Sequence, residues 1–460
     1  MSQTQRWRPI CLKLIRVQEK AARSPQERFT SLAHLITEKA LWRSYQAVDA
    51  KAAPGVDGVT KDAYGANLYR NLEELHWRLK HGKYRASPVL RHWIEKPDGG
   101  QRPLGIPTVE DKIVQGVVVE LLNSIYEVDF LSFSYGFRPG KSQHHALQAL
   151  QTVLQKGNVN WVLDADISKF FDSIDHKELM AVLKHRVNDR NVLRLIGKWL
   201  SAGVVEKDGR RIREKKGTPQ GGVISPLLAN IFLHYIVDVF VHTWRKTEAK
   251  GEVYIVRYAD DFIIGCEYRD DALILLEALE KRLDEHGLTL NREKTRLVRF
   301  GRRWDDGNGN PRPETFDFLG FTHISGKDRQ GRYLIKRKTA RKRFSRSLKS
   351  IAEWCTNNRH LPVSVQWKQL RLKLSGHYNY YGVRGNFKAL ARFRHEVWKL
   401  WFNALKRRSQ KVNKNHLYNL ISSVFVLPTP KITHPEGWLD LNPGYLLGRA
   451  GCGNSARPVL

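Results

Sequence analysis

Two adjacent carboxylates, Asp260 and Asp261, sit inside the run V-Y-I-V-R-Y-A-D-D-F-I-I-G-C. The flanking stretches, 253–258 and 262–266, are apolar, β-branched and aromatic. That is the pattern of two buried strands joined by a hairpin, with the charges at its turn. Ionised Asp side chains side by side repel each other, and burying them is unfavourable. A pair of divalent cations would offset this. Such a pair, about 3.5–4 Å apart, can hold both the attacking and the leaving oxygen of an in-line phosphoryl transfer. Mg²⁺ suits the task because it takes hard oxygen ligands, usually a few carboxylates plus substrate phosphates. Alone, Y-A-D-D fits a solvated turn equally well. A second run, W-V-L-D-A-D-I at 161–167, adds to the metal reading. Asp164 and Asp166 are two apart and share one strand face, and carboxylates on so apolar a strand need a partner.

Other stretches carry weaker signals. In R-H-W-I-E-K-P-D-G-G-Q-R-P-L-G-I-P-T a Pro-Asp-Gly-Gly turn joins two strands. Lys96 and Arg102 at its base could close over a triphosphate, although in isolation they read as surface charges. K-G-T-P-Q-G-G is a loop opening a helix near Ser225, and Gly221 and Gly222 permit close backbone approach to a ligand. Without context it is a generic loop-to-helix junction. In S-F-S-Y-G-F-R-P-G-K-S the aromatics Phe133, Tyr135 and Phe137 precede Arg138 and Lys141. This suits a nucleic-acid backbone or ordinary core packing. The stretch K-R-K-T-A-R-K-R-F-S-R-S-L-K-S carries eight Lys and Arg and no acid. A phosphate partner explains it better than a solvated face.

The elements that must position these residues belong to a folded protein. The chain has 460 residues, enough for two to four domains. Its 41% hydrophobic content, with 13 Trp, 16 Tyr and 18 Phe, excludes a disordered chain. Lys and Arg total 78 against 46 Asp and Glu, a net charge of +32 that points to a polyanion, nucleic acid before membrane. No run of 18 apolar residues suggests a membrane span, and M-S-Q-T-Q-R-W-R-P-I is not followed by a secretory apolar core. The four cysteines, Cys11, Cys266, Cys355 and Cys452, form no C-x-x-C pair, so neither a zinc ribbon nor a disulfide framework is expected and a reducing cytoplasm fits. Helices are expected over 29–47, 71–81, 111–126, 184–200 and 271–286, the last with Leu273, Leu276, Leu279 and Leu283 on its buried face. L-T-L-N-R-E-K-T-R-L-V-R-F is expected as a strand pair or long strand, F-D-F-L-G-F-T-H-I as a further strand. After about residue 330 a basic helical region is expected, with an apolar stripe from Leu390 to Leu405.

In this order, W-V-L-D-A-D-I-S-K-F-F-D, T-P-Q-G-G, Y-A-D-D and L-G-F resemble a reverse transcriptase. G-V-D-G, I-P-T-V-E-D-K-I-V-Q, S-Y-G-F-R-P-G and the late G-H-Y-N-Y-Y-G-V-R-G-N resemble the group II intron-encoded reverse transcriptase/maturases. The resemblance covers about residues 45–435. It implies an α/β right-hand polymerase: fingers and palm of mixed sheet plus helices over 49–325, then an α-helical thumb/maturase domain over 330–411. Residues 1–48 would be a basic extension and 412–460 a partly disordered tail.

The resemblance also implies roles. Asp166, Asp260 and Asp261, with the Ile167 backbone, would hold two Mg²⁺ ions, with Mn²⁺ as an alternative. Asp166 is preferred to Asp164 because the aromatic five positions on is then Phe171, placed to exclude a 2′-hydroxyl. Gln220 would border the incoming nucleotide, Lys96 and Arg102 its triphosphate, and Lys294 the leaving pyrophosphate. Leu319, Gly320 and Phe321 would support the primer end. Lys336, Arg337, Lys338, Arg341, Lys342, Arg343 and Arg346 would bind RNA. The implied partners are a group II intron RNA, an RNA template with DNA primer, deoxynucleoside triphosphates and a DNA target, in a bacterial cytoplasm near the nucleoid. No H-N-H endonuclease with paired cysteines and no RNase H domain is expected, hence no zinc. A host-adopted reverse transcriptase without an intron, or an RNA-binding splicing factor alone, are the alternatives.

Overall fold

The computed structural model describes residues 12–95, 99–212, 216–218, 220–301, 313–328, 330–408 and 413–434. The chain runs through α1 (Leu12–Arg23), α2 (Glu38–Ala47), α3 (Lys61–Gly65), α4 (Leu68–Lys80), β1 (Val89–Glu95), β2 (Gln101–Ile106), α5 (Val109–Tyr126) and α6 (Gln143–Lys156). Next come β3 (Trp161–Asp166), α7 (Phe170–Ser173), α8 (His176–Leu183), α9 (Arg190–Ser201), β4 (Val204–Val205), β5 (Arg211–Ile212), α10 (Ser225–Leu233) and α11 (Val239–Thr247). Then follow β6 (Val253–Tyr258), β7 (Asp261–Cys266), α12 (Arg269–Glu285), β8 (Arg296–Arg299), β9 (Thr315–Phe318), β10 (Phe321–Lys327) and β11 (Tyr333–Thr339). The helices α13 (Arg341–Asn357), α14 (Val363–Tyr381), α15 (Phe387–Lys406) and α16 (Lys414–Asn419) close the described chain. The fold is mixed α/β.

Three sheets organise it. The central one has the order β6-β7-β3-β8, antiparallel throughout. Its β6 and β7 strands are buried almost end to end, so they read as continuous apolar runs, whereas a half-exposed strand would alternate. Helix α12 packs on β3 and β7, and α6 on β6. A hairpin sheet, β2-β1-β4-β5, carries β1 parallel to β4. A third sheet, β11-β10-β9, leads into the helical unit.

The helical run Ser225–Thr247 has the length and composition of a membrane span, yet it is mostly buried inside the protein. Its middle turn, His234–Asp238, is a π-helix.

Several expectations are corrected. The described part of the segment expected as an N-terminal extension, residues 12–48, packs on the core: α1 and α2 both lie on α5, with Leu14, Ala21 and Leu41 buried. The helix expected over 184–200 begins only at Arg190, as α9. Asp175 caps α8 and Asp189 caps α9, each side chain accepting from the backbone amides of the second and third helical residues. Asp189 also accepts from Leu32 and Ala33 at 2.6 and 2.8 Å, tying the N-terminal segment down. In α12 the buried face is Ala272, Leu275, Leu279 and Leu283. Leu273 and Leu276 are half-buried, because the run L-I-L-L allows two phases of one amphipathic stripe.

The stretch 288–300 holds only the short strand β8, preceded by an isolated bridge between Ile167 and Leu290. The expected strand at 316–324 is a hairpin that turns at Leu319-Gly320. Residues 333–339 are a strand, so the helical unit begins at Arg341. The tail is partly packed. Trp367 and Tyr378 donate to the carbonyls of Val426 and Pro428, and Arg394 to that of Leu427, which holds 425–434 against α14 and α15. The loop expected over 301–313 falls outside the described residues apart from its two ends, and so does the tail beyond residue 434.

Candidate active site

The β6–β7 hairpin turns at Ala259-Asp260, with Tyr258 paired to Asp261. Ala259 has φ 57°, a left-handed value at the first turn position that favours glycine and costs on the order of 1 kcal/mol or more for alanine. Buried contacts hold it. Arg257, fully buried, donates to the Ala259 carbonyl at 2.9 Å and to Asn230 at 3.0 Å. It also pairs with Asp238 through two bonds of 2.5 and 2.6 Å. Asp238 closes the π-helical turn, so that irregular helix aims its carboxylate at the hairpin. Gly136 lies so close that an added Cβ would meet the Ala259 amide nitrogen at 2.2 Å.

Asp166 ends β3 directly opposite Asp261. Asp164 lies two residues earlier on the same strand face, paired to Arg296 of β8 at 3.4 Å. Lys294 sits 2.9 Å from Asp166, and Asn291 donates to the same oxygen at 3.3 Å. Desolvation pushes Asp261 up to about 7, and Asp260, Asp166 and Asp164 push it the same way. Its side chain opens to solvent, so water screens part of that push. Burial also raises Asp260, with Asp166 adding and Arg102 opposing. Asp164 is pushed to about 6 by burial, against Arg296. The hydrogen bond to Asp166 raises Lys294.

Among the described residues no three His, Cys, Asp or Glu side chains already form a metal cage. Lys294 occupies an Asp166 oxygen that a cation would need. The donor set still fits a divalent cation, being hard oxygen from facing carboxylates whose charges raise Asp260 and Asp261.

Short contacts join α7, just after β3, to Thr218 and Gln220. Phe171 lies half-buried on α7, its ring 5.4 Å from that of Phe170. The Phe171 carbonyl accepts from Thr218 at 2.8 Å, and Gln220 reaches Asp172 at 3.4 Å. These contacts bring Phe171 and Gln220 close together. Gly221, φ 114°, leaves no room for a Cβ against the Gly105 carbonyl, and the Gly105 amide donates to the Gln220 carbonyl. The β1–β2 hairpin is thereby docked on the loop, with exposed Arg102 on it. Lys96 lies outside the described residues. Buried Gln115 of α5 accepts from Val223 at 2.8 Å and Ile224 at 3.4 Å, fixing the far end of the loop.

Of the basic run, Lys336, Lys338, Arg341, Lys342, Arg343 and Arg346 are exposed. Arg337 is corrected: it is buried, because strand alternation turns it inward beside Ile335. Phe133 and Tyr135 are core residues, whereas Phe137 is exposed. Arg138 is consumed by Glu127 at 3.0 Å and by the Leu131 and Ser134 carbonyls, so it serves the fold. Sequence reasoning missed Arg257, Asp238, Asn230 and Gln115. A cation inside an apolar strand, as in V-Y-I-V-R-Y, was the available signal for Arg257.

The central sheet thus gathers Asp166, Asp260 and Asp261 at the ends of its two inner strands and the β6–β7 turn. The profile of the family described as "Reverse transcriptase (RNA-dependent DNA polymerase)" matches residues 94–323, half of the chain. Protein YkfC of Escherichia coli (strain K12) is 32% identical, over 68% of this chain and 87% of that protein. Group II intron-encoded protein LtrA of Lactococcus lactis subsp. cremoris is 30% identical, over 65% of this chain. Nuclear intron maturase 1, mitochondrial, of Arabidopsis thaliana is 26% identical, over 44% of this chain and 33% of its own length. The chain belongs to the reverse transcriptases, RNA-directed DNA polymerases, in the group II intron-encoded reverse transcriptase/maturase branch. It spans about half, 51%, of the length of LtrA.

Proposed function

We propose that the chain copies RNA into DNA by two-metal nucleotidyl transfer, and that it binds a group II intron RNA to assist splicing and mobility. The observation that carries the catalytic part is the cross-strand pair Asp166–Asp261 with Asp260 in the adjoining turn. In this reading the central sheet is a palm, the β1–β2 hairpin with its supporting helices the fingers, and α13–α15 a thumb.

Asp166, Asp260 and Asp261, with the Ile167 carbonyl, would hold two Mg²⁺ ions, with Mn²⁺ as an alternative. These would supply positive charge where the primer 3′-oxygen and the pyrophosphate become more negative. The residues of the chain do the rest. Arg102 and Lys96 bind and orient the triphosphate. Phe171 fills the space beside the sugar and excludes a 2′-hydroxyl. Gln220 and the Gly221 backbone border the nucleotide. Lys294 releases Asp166 and turns to the departing phosphates, a swing its exposed side chain allows. Leu319, Gly320 and Phe321 support the primer end. Template pairing supplies sequence, so the protein needs to grip only shape and backbone. Exposed cations of β11 and α13 supply that grip on RNA. A DNA target and a bacterial cytoplasmic setting follow from the same reading.

Splicing help needs a cationic surface but no metal-held nucleotide. An Asp260→Ala, Asp261→Ala protein is therefore expected to promote excision of a candidate intron found beside the gene at low Mg²⁺, while making no DNA. Normal RNA binding without excision by that variant, where the parent excises, would contradict the maturase part. No excision by the parent from any neighbouring intron would favour a polymerase without an intron.

A further inference from the structure

The late stretch G-H-Y-N-Y-Y-G-V-R-G-N has no part in the mechanism above. In space it grips the Leu319-Gly320 turn. Both turn residues are left-handed, Leu319 with φ 47° and Gly320 with φ 81°. This is the backbone of a tight two-residue hairpin turn, and leucine adopts it only when its surroundings over-determine it.

Those surroundings come from the helical unit. Tyr380, near the end of α14, donates its hydroxyl hydrogen to the Leu319 carbonyl at 2.8 Å. Tyr381 places its hydroxyl where a Cβ on Gly320 would meet it at 3.2 Å. Both rings pack on buried Phe321, with centroids 5.9 and 5.2 Å away. The Ala340 amide, at the start of α13, donates to the Gly320 carbonyl at 3.0 Å. Asn386, almost fully buried, locks the arrangement. Its amide nitrogen donates to the Tyr381 carbonyl and the Thr339 hydroxyl, each at 2.9 Å, and its oxygen accepts from the Thr339 amide at 3.0 Å.

We infer that Tyr380, Tyr381 and Asn386 are positioning residues for the primer end, so that the helical unit is part of the polymerase centre as well as an RNA-binding surface. The inference rests on Leu319-Gly320-Phe321 supporting the primer. A shift of α14 must move the Leu319 carbonyl through one hydrogen bond. The duplex or RNA held by the thumb thus sets the height of the primer 3′-hydroxyl above the carboxylates.

Tyr380→Phe removes that bond and keeps the ring. The test is single-nucleotide extension of a pre-annealed DNA primer on an RNA template, with the full chain, alongside Gly320→Ala and the double variant. Duplex Kd and Tm are measured in parallel. Tyr380→Phe is expected to lower kcat about three- to tenfold with duplex Kd, nucleotide KM and Tm close to the parent. It is expected to add little on the Gly320→Ala background, because both act on one turn. Normal kcat in Tyr380→Phe with a loss in Gly320→Ala would overturn the inference and leave the primer-support role standing. Normal kcat in both would overturn that role and the inference with it. A loss of kcat matched by a loss of Tm or of duplex affinity would make Tyr380 merely structural.

Discussion

Asp166 and Asp261 face each other across the β3–β7 pair, and Lys294 holds Asp166 at 2.9 Å. An ion pair thus stands where the proposed cation would bind. The lysine is largely exposed, and such pairs contribute about 0–1 kcal/mol. Lys294→Gln should therefore ease Mg²⁺ activation by less than about fivefold. If Lys294 also serves the departing pyrophosphate, kcat should fall by about tenfold or more. Steady-state extension across a Mg²⁺ series separates the two effects. An unchanged kcat would confine Lys294 to pairing with Asp166.

The carboxylate cluster also sets a pH dependence. Asp261 is raised to about 7 in the folded chain, against about 3.9 unfolded. The folded state then binds more protons between those values, so stability falls as pH rises through that window. Metal-free protein should lose Tm from pH 5 to pH 8, and Asp261→Asn should lose less. Mg²⁺ should raise Tm more at pH 8 than at pH 5. Thermal unfolding with and without chelator measures all three. Identical pH slopes for parent and variant would remove Asp261 as their source.

Sugar choice is expected to lie with Phe171. Phe171→Ala should incorporate ribonucleotides far better than the parent, read as the ratio of kcat/KM for the two sugars. An unchanged ratio would put the gate elsewhere and reopen Asp164 as the catalytic carboxylate.

The basic run divides by exposure. Replacing Arg341, Lys342, Arg343 and Arg346 with Gln should lower the salt slope of RNA binding, since a phosphate that no cation neutralises keeps its counterions. Arg337→Gln should lower Tm and leave the slope unchanged, because Arg337 is buried. A slope equal to the parent's in the four-Gln protein would make that face merely solvated.

Arg257 offers a stability test at the turn. Arg257→Met strands Asp238 in the core and should destabilise by about 3–5 kcal/mol. Adding Asp238→Leu should recover much of that, while extension stays impaired because the Ala259 carbonyl no longer has its donor. Full recovery of both would mean that the pair serves packing alone.

The sequence made the central hairpin legible because its order is local: two apolar runs, two carboxylates and a two-residue turn. Asp164 and Asp166 were legible for the same reason, through strand alternation. Supports that join distant segments were not. Asp189 caps α9 and also holds Leu32 and Ala33 from far along the chain. Asp238 reaches Arg257 only because a π-helical turn departs from the regular period. Composition alone hid Arg337, since K-R-K-T counts as charge until a strand turns every second residue inward. The turn at Leu319 was hidden because leucine is not expected with positive φ, and the tyrosines that permit it lie some sixty residues further on.

The most direct measurement is primer extension on an RNA template in Mg²⁺ by the parent and by Asp260→Asn, with RNA affinity measured on the same preparations. The parent should extend the primer. The variant should lose DNA synthesis by a factor of about 10³ or more while its RNA affinity stays within about twofold, because the carboxylate would hold metal and touch no RNA. Near-normal extension by Asp260→Asn would contradict the assignment of the Asp166, Asp260 and Asp261 cluster as the nucleotidyl-transfer centre.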